Sequence, residues 1–152
     1  MQQPARPAHP AAPAAKLAAS IARLFGPGAR VDAVSVDTTD VLRVSRADSL
    51  LGFAAVGNVL GKDQPITFLV AIDPADRLMD VDILVYREPY GGEVAYEPWR
   101  RQFRGKTAAD SVRVGREIRS ISGATISVQA VTLGVKRLLA LLTAWHRSGA
   151  IR

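Results

Sequence analysis

The feature that most constrains this chain is a run of short segments between Arg30 and Tyr86, in which apolar and β-branched residues alternate with polar ones between turn-forming residues. A period of two places successive side chains on opposite faces of an extended backbone, so each segment can bury one face while pairing with a neighbour. Arg30 to Val36 and Val41 to Ser45 alternate in this way, with Asp37-Thr38-Thr39-Asp40 as turn chemistry between them. Gly52 to Leu60 is small and β-branched, Gly61-Lys62-Asp63-Gln64-Pro65 breaks it, and Ile66 to Ile72 follows as a strongly strand-forming run. After the turn Asp73-Pro74-Ala75-Asp76, Met79, Val81, Ile83 and Val85 alternate with Asp80 and Asp82. Short turns between consecutive strands predict an antiparallel meander.

The flanking segments have the helical period instead. Lys16 to Phe25 puts Leu17, Ile21, Leu24 and Phe25 on one face and ends at Gly26-Pro27-Gly28. Ile126 to Arg147 carries Val131, Val135, Leu138, Leu142 and Trp145 at spacings of four and three, closed by Ser148-Gly149. Tyr96 to Phe103 reads as a short helix. The expected class is therefore α+β, an antiparallel sheet packed by helices with a long helix at the C-terminal end. A chain of 152 residues suits a single domain with a real core. That domain is expected over residues 16–152, after a flexible linker over 1–15, where alanine and proline offer no apolar face to bury.

Composition narrows the chemistry. The chain has no cysteine, which removes disulfides, thiolate metal sites and cysteine nucleophiles, and His9 and His146 lie too far apart in sequence to suggest an imidazole cluster. Neither a catalytic group nor a metal site is expected from the protein itself, so redox chemistry would have to come from an organic cofactor. The formal net charge of +6 favours anionic partners. Nucleic acid is not expected among them, because the aromatic residues do not interleave with basic ones on an evident strand platform. The longest apolar run, Leu138 to Trp145, is shorter than the roughly 18 residues of a spanning helix, and no secretory leader is evident.

The most informative stretch lies at the mouth of the last helix, Ile121-Ser122-Gly123-Ala124-Thr125-Ile126-Ser127. Small residues let a ligand approach the backbone, and a first helical turn offers free N–H groups and the positive end of the dipole to a phosphate. The hydroxyl of Thr125 would lie beside that phosphate. Serine and threonine are also ordinary helix caps, so the residues alone favour a tight helix entry over a ligand site. Gly57 to Lys62, GNVLGK, fails as a phosphate loop, having three residues between its glycines and Asp63 where serine or threonine is required.

The run SGATIS at 122–127, followed by AVTLGVKRLL, resembles the motif of FMN-binding domains from the flavin-bearing subunits of sodium-pumping NADH:quinone reductase and of Rnf-type complexes. Upstream, Glu88-Pro89-Tyr90-Gly91 is similar to the family's E-x-x-G segment and WRRQFRGK at 99–106 to its W-x-x-x-F-x-G element, so the likeness extends over about Gly61 to Leu142. The resemblance implies FMN as cofactor, carried as a phosphoester on Thr125 and attached by a dedicated flavin transferase. It also implies contacts from Ser122, Gly123, Ala124, Glu88, Tyr90 and Gly91, and an electron-relay role beside partner proteins of a membrane-associated complex on its extracytoplasmic side.

Two positions depart from the family pattern. Arg119 stands where an aspartate commonly precedes the motif serine by three residues, and Pro89-Tyr90 replaces the usual Thr-Pro. Covalent and noncovalent FMN are both compatible with these changes. Arg113, Arg116, Arg119 and Lys106 are candidates for the field around the phosphate, and Tyr90, Trp99 and Phe103 for packing on the flavin ring, although charge runs are more often solvated faces and spaced aromatics more often core. The alternative reading is a flavin-free module whose basic face docks on an acidic protein or an anionic membrane surface.

Overall fold

The computed structural model describes residues 11–152. Helix α1 (Ala14–Phe25) is followed by five strands, β1 (Arg30–Val36), β2 (Thr39–Arg46), β3 (Ser49–Leu60), β4 (Pro65–Ile72) and β5 (Leu78–Val85), then by the short α2 (Glu97–Arg100) and the long α3 (Thr125–Ser148). The strands form one antiparallel sheet in chain order, β1-β2-β3-β4-β5. This is the α+β architecture expected from the alternating segments and the terminal helical period. Most of the expected linker, residues 1–10, lies outside the described residues; Ala14 and Ala15, assigned to it from composition, are the first residues of α1.

Two covers explain why the central strands are buried on both faces. Phe53, Ile66, Phe68, Val70 and Val81 meet Val128, Val131, Val135, Leu139 and Leu142 of α3, together with Trp99 and Phe103. Ala54, Leu69, Ala71 and Leu84 meet Ile21 and Phe25 of α1. Strand β4 is accordingly buried from Ile66 to Ile72, which is why it reads as a continuous apolar run rather than an alternation. Helix α3 approaches the sheet at Gly134, where a Cβ would lie 2.5 Å from Val59 Cγ1 and 2.9 Å from Phe68 Cζ. By length and composition α3 could cross a membrane, a longer apolar reach than the Leu138 to Trp145 run, and half of its most apolar window is buried within this fold.

Two connections differ from the expectation. The β1–β2 turn consists of Asp37 and Thr38 alone, both at positive φ, while Thr39 and Asp40 already pair in β2. Strand β3 begins at Ser49, directly after an Ala47-Asp48 turn that carries no glycine, asparagine or proline to announce it.

Polar clamps hold the layers. Asp80, on outer strand β5, is 2% exposed and takes Arg23 of α1 at 3.1 Å, Arg100 of α2 at 3.5 Å and Arg104 at 3.3 Å. Arg100 Nη1 also donates to the Val81 carbonyl at 2.7 Å. At the other end of α3, His146 Nδ1 lies 2.5 Å from Asp76 Oδ1, joining the β4–β5 turn to the last helical turn.

Candidate functional site

Three chain segments meet at the start of α3 around a cleft of about 490 Å³, lined by Lys62 and Asp63, by Glu88 to Gly91, and by Gly123 to Ser127. The volume lies within the range of small-molecule and cofactor sites, roughly 300–1,000 Å³. Six of the seven residues nominated from sequence line it: Thr125, Gly123, Ala124, Glu88, Tyr90 and Gly91. Ser122 is exposed just outside the lining.

The helix entry is not a side-chain cap. The N-cap position is Ala124, with no side-chain hydrogen bond, and Thr125 is the first helical residue with its side chain exposed. The first helical bond runs from the Val128 N–H to the Ala124 carbonyl at 2.9 Å. A start of this kind leaves the early N–H groups of a 24-residue helix to an external acceptor, at the positive end of its dipole.

Consecutive residues at the end of β5 fix the cleft walls. The Tyr86 hydroxyl donates to the Tyr90 carbonyl and lies 2.6 Å from Ser127 Oγ, so the serine hydroxyl donates to it, tying the 88–91 loop to the first turn of α3. Arg87 Nη1 donates to the Pro65 carbonyl at 2.7 Å and to Thr67 Oγ1 at 3.0 Å. Glu88 Oε1 accepts the N–H groups of Asp63 and Gln64, each at 2.6 Å. Gly91 sits at φ +85°, and a Cβ there would lie 2.5 Å from the Tyr86 hydroxyl and 2.6 Å from Ser127 Oγ, so the turn needs glycine for both conformation and space.

These two amide bonds, chiefly that from Asp63, hold the Glu88 carboxyl below its ordinary value of 4.5, with the Lys62 ammonium adding to them. A lowered pKa means that the clamp's contribution is fully present above that ordinary value and is lost as pH falls through the folded one. Amide exchange at Asp63 and Gln64 is therefore expected to stay protected down to the acid edge of carboxylate titration. It should then rise in a single step; protection that decays already near pH 5 would contradict the clamp.

The W-x-x-x-F-x-G element acts as scaffolding. Trp99 and Phe103 are buried in the core, edge to face at 5.2 Å. Trp99 Nε1 donates to the Arg119 carbonyl at 2.8 Å, and Gln102 Oε1 accepts the Arg119 N–H at 2.8 Å. The element thus pins the strand of chain that leads into the motif, and neither aromatic lines the cleft; Tyr90, 82% exposed, is the aromatic that does. The arginines nominated for the phosphate field stand elsewhere. Arg113, Arg116 and Arg119 are exposed outside the lining, and Lys106 pairs with Glu117 at 3.4 Å. Among the residues lining the cleft, Lys62 is the cation, and sequence reasoning passed over it when GNVLGK failed as a phosphate loop.

A helix-packed meander with a mononucleotide-sized cleft at the uncapped mouth of its longest helix defines a small cofactor-holding domain. The family model for the FMN-binding domain matches residues 61–140, and the chain belongs to that family, with FMN as its cofactor. No curated protein matches the chain. The residues present fit the group: an open helix start and an exposed hydroxyl for the phosphate end, and the Tyr90 ring and glycine-lined backbone for the planar end.

Proposed function

We propose that this domain carries FMN covalently, as a phosphoester on Thr125, and relays electrons between partner proteins of a membrane-associated complex on its extracytoplasmic side. The observation that carries the reading is the exposed Thr125 hydroxyl at the first position of an uncapped helix, inside the cleft. On attachment by a flavin transferase, Thr125 Oγ1 loses its proton and bonds to the flavin-side phosphorus of a flavin dinucleotide, whose pyrophosphate P–O bond breaks and whose nucleoside monophosphate half leaves with the proton. When bound, FMN supplies electron acceptance and donation, singly or in pairs. The protein's own part is to hold and shield: α3 meets the phosphate end with its free N–H groups, Gly91 admits the ring close to the backbone, and Tyr86 with Ser127 keeps the walls in register. The exposed guanidinium groups of Arg113, Arg116 and Arg119, outside the cleft, suit an acidic docking partner whose approach they would speed.

Expression together with a flavin transferase tests the reading. The expected product is yellow, keeps its flavin fluorescence after denaturation, and gains the mass of one FMN less one water. Colour released on denaturation would leave FMN binding but remove the ester. A colourless product would favour the basic docking module.

A further inference from the structure

We infer that Lys62 is the cation that meets the FMN phosphate in this cleft, and that Glu88 is its positioning residue, fastening the turn that carries it. The inference rests on FMN occupying the cleft at the start of α3, and it deepens that reading.

The cleft has little positive charge of its own. Its lining carboxylates, Asp63 and Glu88, repel a phosphate, and only Lys62 and the N-terminal end of α3 offset them. Other cations are spent elsewhere: the Arg87 guanidinium binds Pro65 and Thr67, and the Lys106 ammonium, outside the lining, binds Glu117. Lys62 lies in the connection between β3 and β4, a tight turn closed by the Gly61 N–H on the Gln64 carbonyl at 2.9 Å. Glu88 Oε1 closes it from outside through the amides of the next two residues, Asp63 and Gln64. With the turn fixed in this way, the lysine's flexible stem starts from a set point on the cleft rim, and less freedom is lost when its ammonium meets an anion. The geometry also explains GNVLGK. Gly57 to Leu60 is extended in β3 and wraps nothing, so the lysine at the end of the run serves the cleft from a hairpin tip.

The test separates phosphate from ring by comparing FMN with riboflavin, which lacks the phosphate. Both are titrated by fluorescence into Thr125→Ala protein, where no ester can form. Lys62→Gln is expected to weaken FMN about tenfold, or about 1.4 kcal/mol, and to leave riboflavin unchanged, while Lys62→Arg restores most of the loss. Glu88→Gln, which removes a repelling charge and keeps an oxygen acceptor for both amides, should bind FMN at least as tightly as the parent chain, whereas Glu88→Ala, which frees the turn, should fall below Glu88→Gln for FMN alone, hasten amide exchange at Asp63 and Gln64, and add little to Lys62→Gln in the double variant. Thermal unfolding of each variant serves as the folding control. Equal FMN affinity in Lys62→Gln, or an equal loss for FMN and riboflavin, overturns the inference. If the Thr125→Ala chain binds neither flavin, loading of the Thr125 and Thr125/Lys62→Gln chains by a transferase is compared by intact mass, and equal loading overturns it. A parent chain that takes up flavin by neither route sinks the proposed function, and this inference with it.

Discussion

Thr125→Ala protein made in the presence of a flavin transferase is expected to carry no covalent flavin at all, while unfolding within about 0.5 kcal/mol of the parent chain. The two halves of this expectation have separate causes. The ester needs one oxygen, and alanine has none, so the loss is complete rather than graded. Stability is spared because Thr125 is exposed and makes no capping hydrogen bond, and because alanine is the better helix former. Thr125→Ser keeps the hydroxyl on the same first helical turn and is expected to retain a fraction of the loading, whereas Thr125→Val, which keeps the shape, retains none. Intact mass and fluorescence after denaturation read all three. An adduct that persists in Thr125→Ala would place the ester on another hydroxyl, with Ser122 and Ser127 next to be substituted. A large fall in stability would mean that the threonine is a structural cap after all.

The same variant also tests what the ester does for electron transfer. If the ester serves only to retain the cofactor, Thr125→Ala protein saturated with FMN should keep its exchange of electrons with a chemical donor and lose it on dialysis. The cleft walls that would hold the cofactor in the meantime, Glu88 to Gly91 and the turn at Lys62, do not depend on the threonine hydroxyl.

What was legible in the sequence follows the range of the interactions concerned. Strand and helix periods are local, so the meander and α3 could be read directly. The Ala47-Asp48 turn could not, because a single aspartate with no glycine, asparagine or proline beside it is a weak signal and the hairpin is imposed by the pairing of β2 with β3. The first helical turn of α3 was legible from small residues and a hydroxyl in a run. Lys62 was not, since its place depends on Glu88, 26 positions on, gripping the turn through main-chain amides. The arginines at 113, 116 and 119 were plausible by proximity in sequence to the motif, yet Trp99 and Gln102 hold the backbone of Arg119, and all three arginines lie outside the cleft lining. Asp80 is the clearest case. Alternation along β5 makes it look like an ordinary polar position facing water, and only the tertiary fold brings arginines from 57 residues before it and 20 residues after it onto one carboxylate.

Asp80→Ala is expected to cost about 3–5 kcal/mol of folding stability, because it leaves the guanidinium of Arg100 buried without its counter-charge. Burial decides the magnitude. The side chains of Asp80 and Arg100 are 2% and 9% exposed, whereas Arg30 and Asp32, which also pair, are 77% and 42% exposed and should be worth no more than about 1 kcal/mol. Arg23 and Arg104 are nearly half exposed and can turn to water when the carboxylate goes. Arg100 cannot, although it keeps its bonds to the carbonyls of Ala95 and Val81. Asp80→Asn retains an acceptor for the Val81 N–H and should lose less than the alanine variant, and Asp32→Ala supplies the exposed control. Urea unfolding at neutral pH measures all three, and an Asp80→Ala loss of under 1 kcal/mol would show that the cluster is solvated like a surface pair. The site should feel the change only through the fold. Strand β5 runs from Asp80 to Val85 and straight into Tyr86, Arg87 and Glu88, which set the cleft walls, so flavin affinity in Asp80→Ala protein should fall in step with the folded fraction and return to the parent value when temperature or osmolyte restores folding.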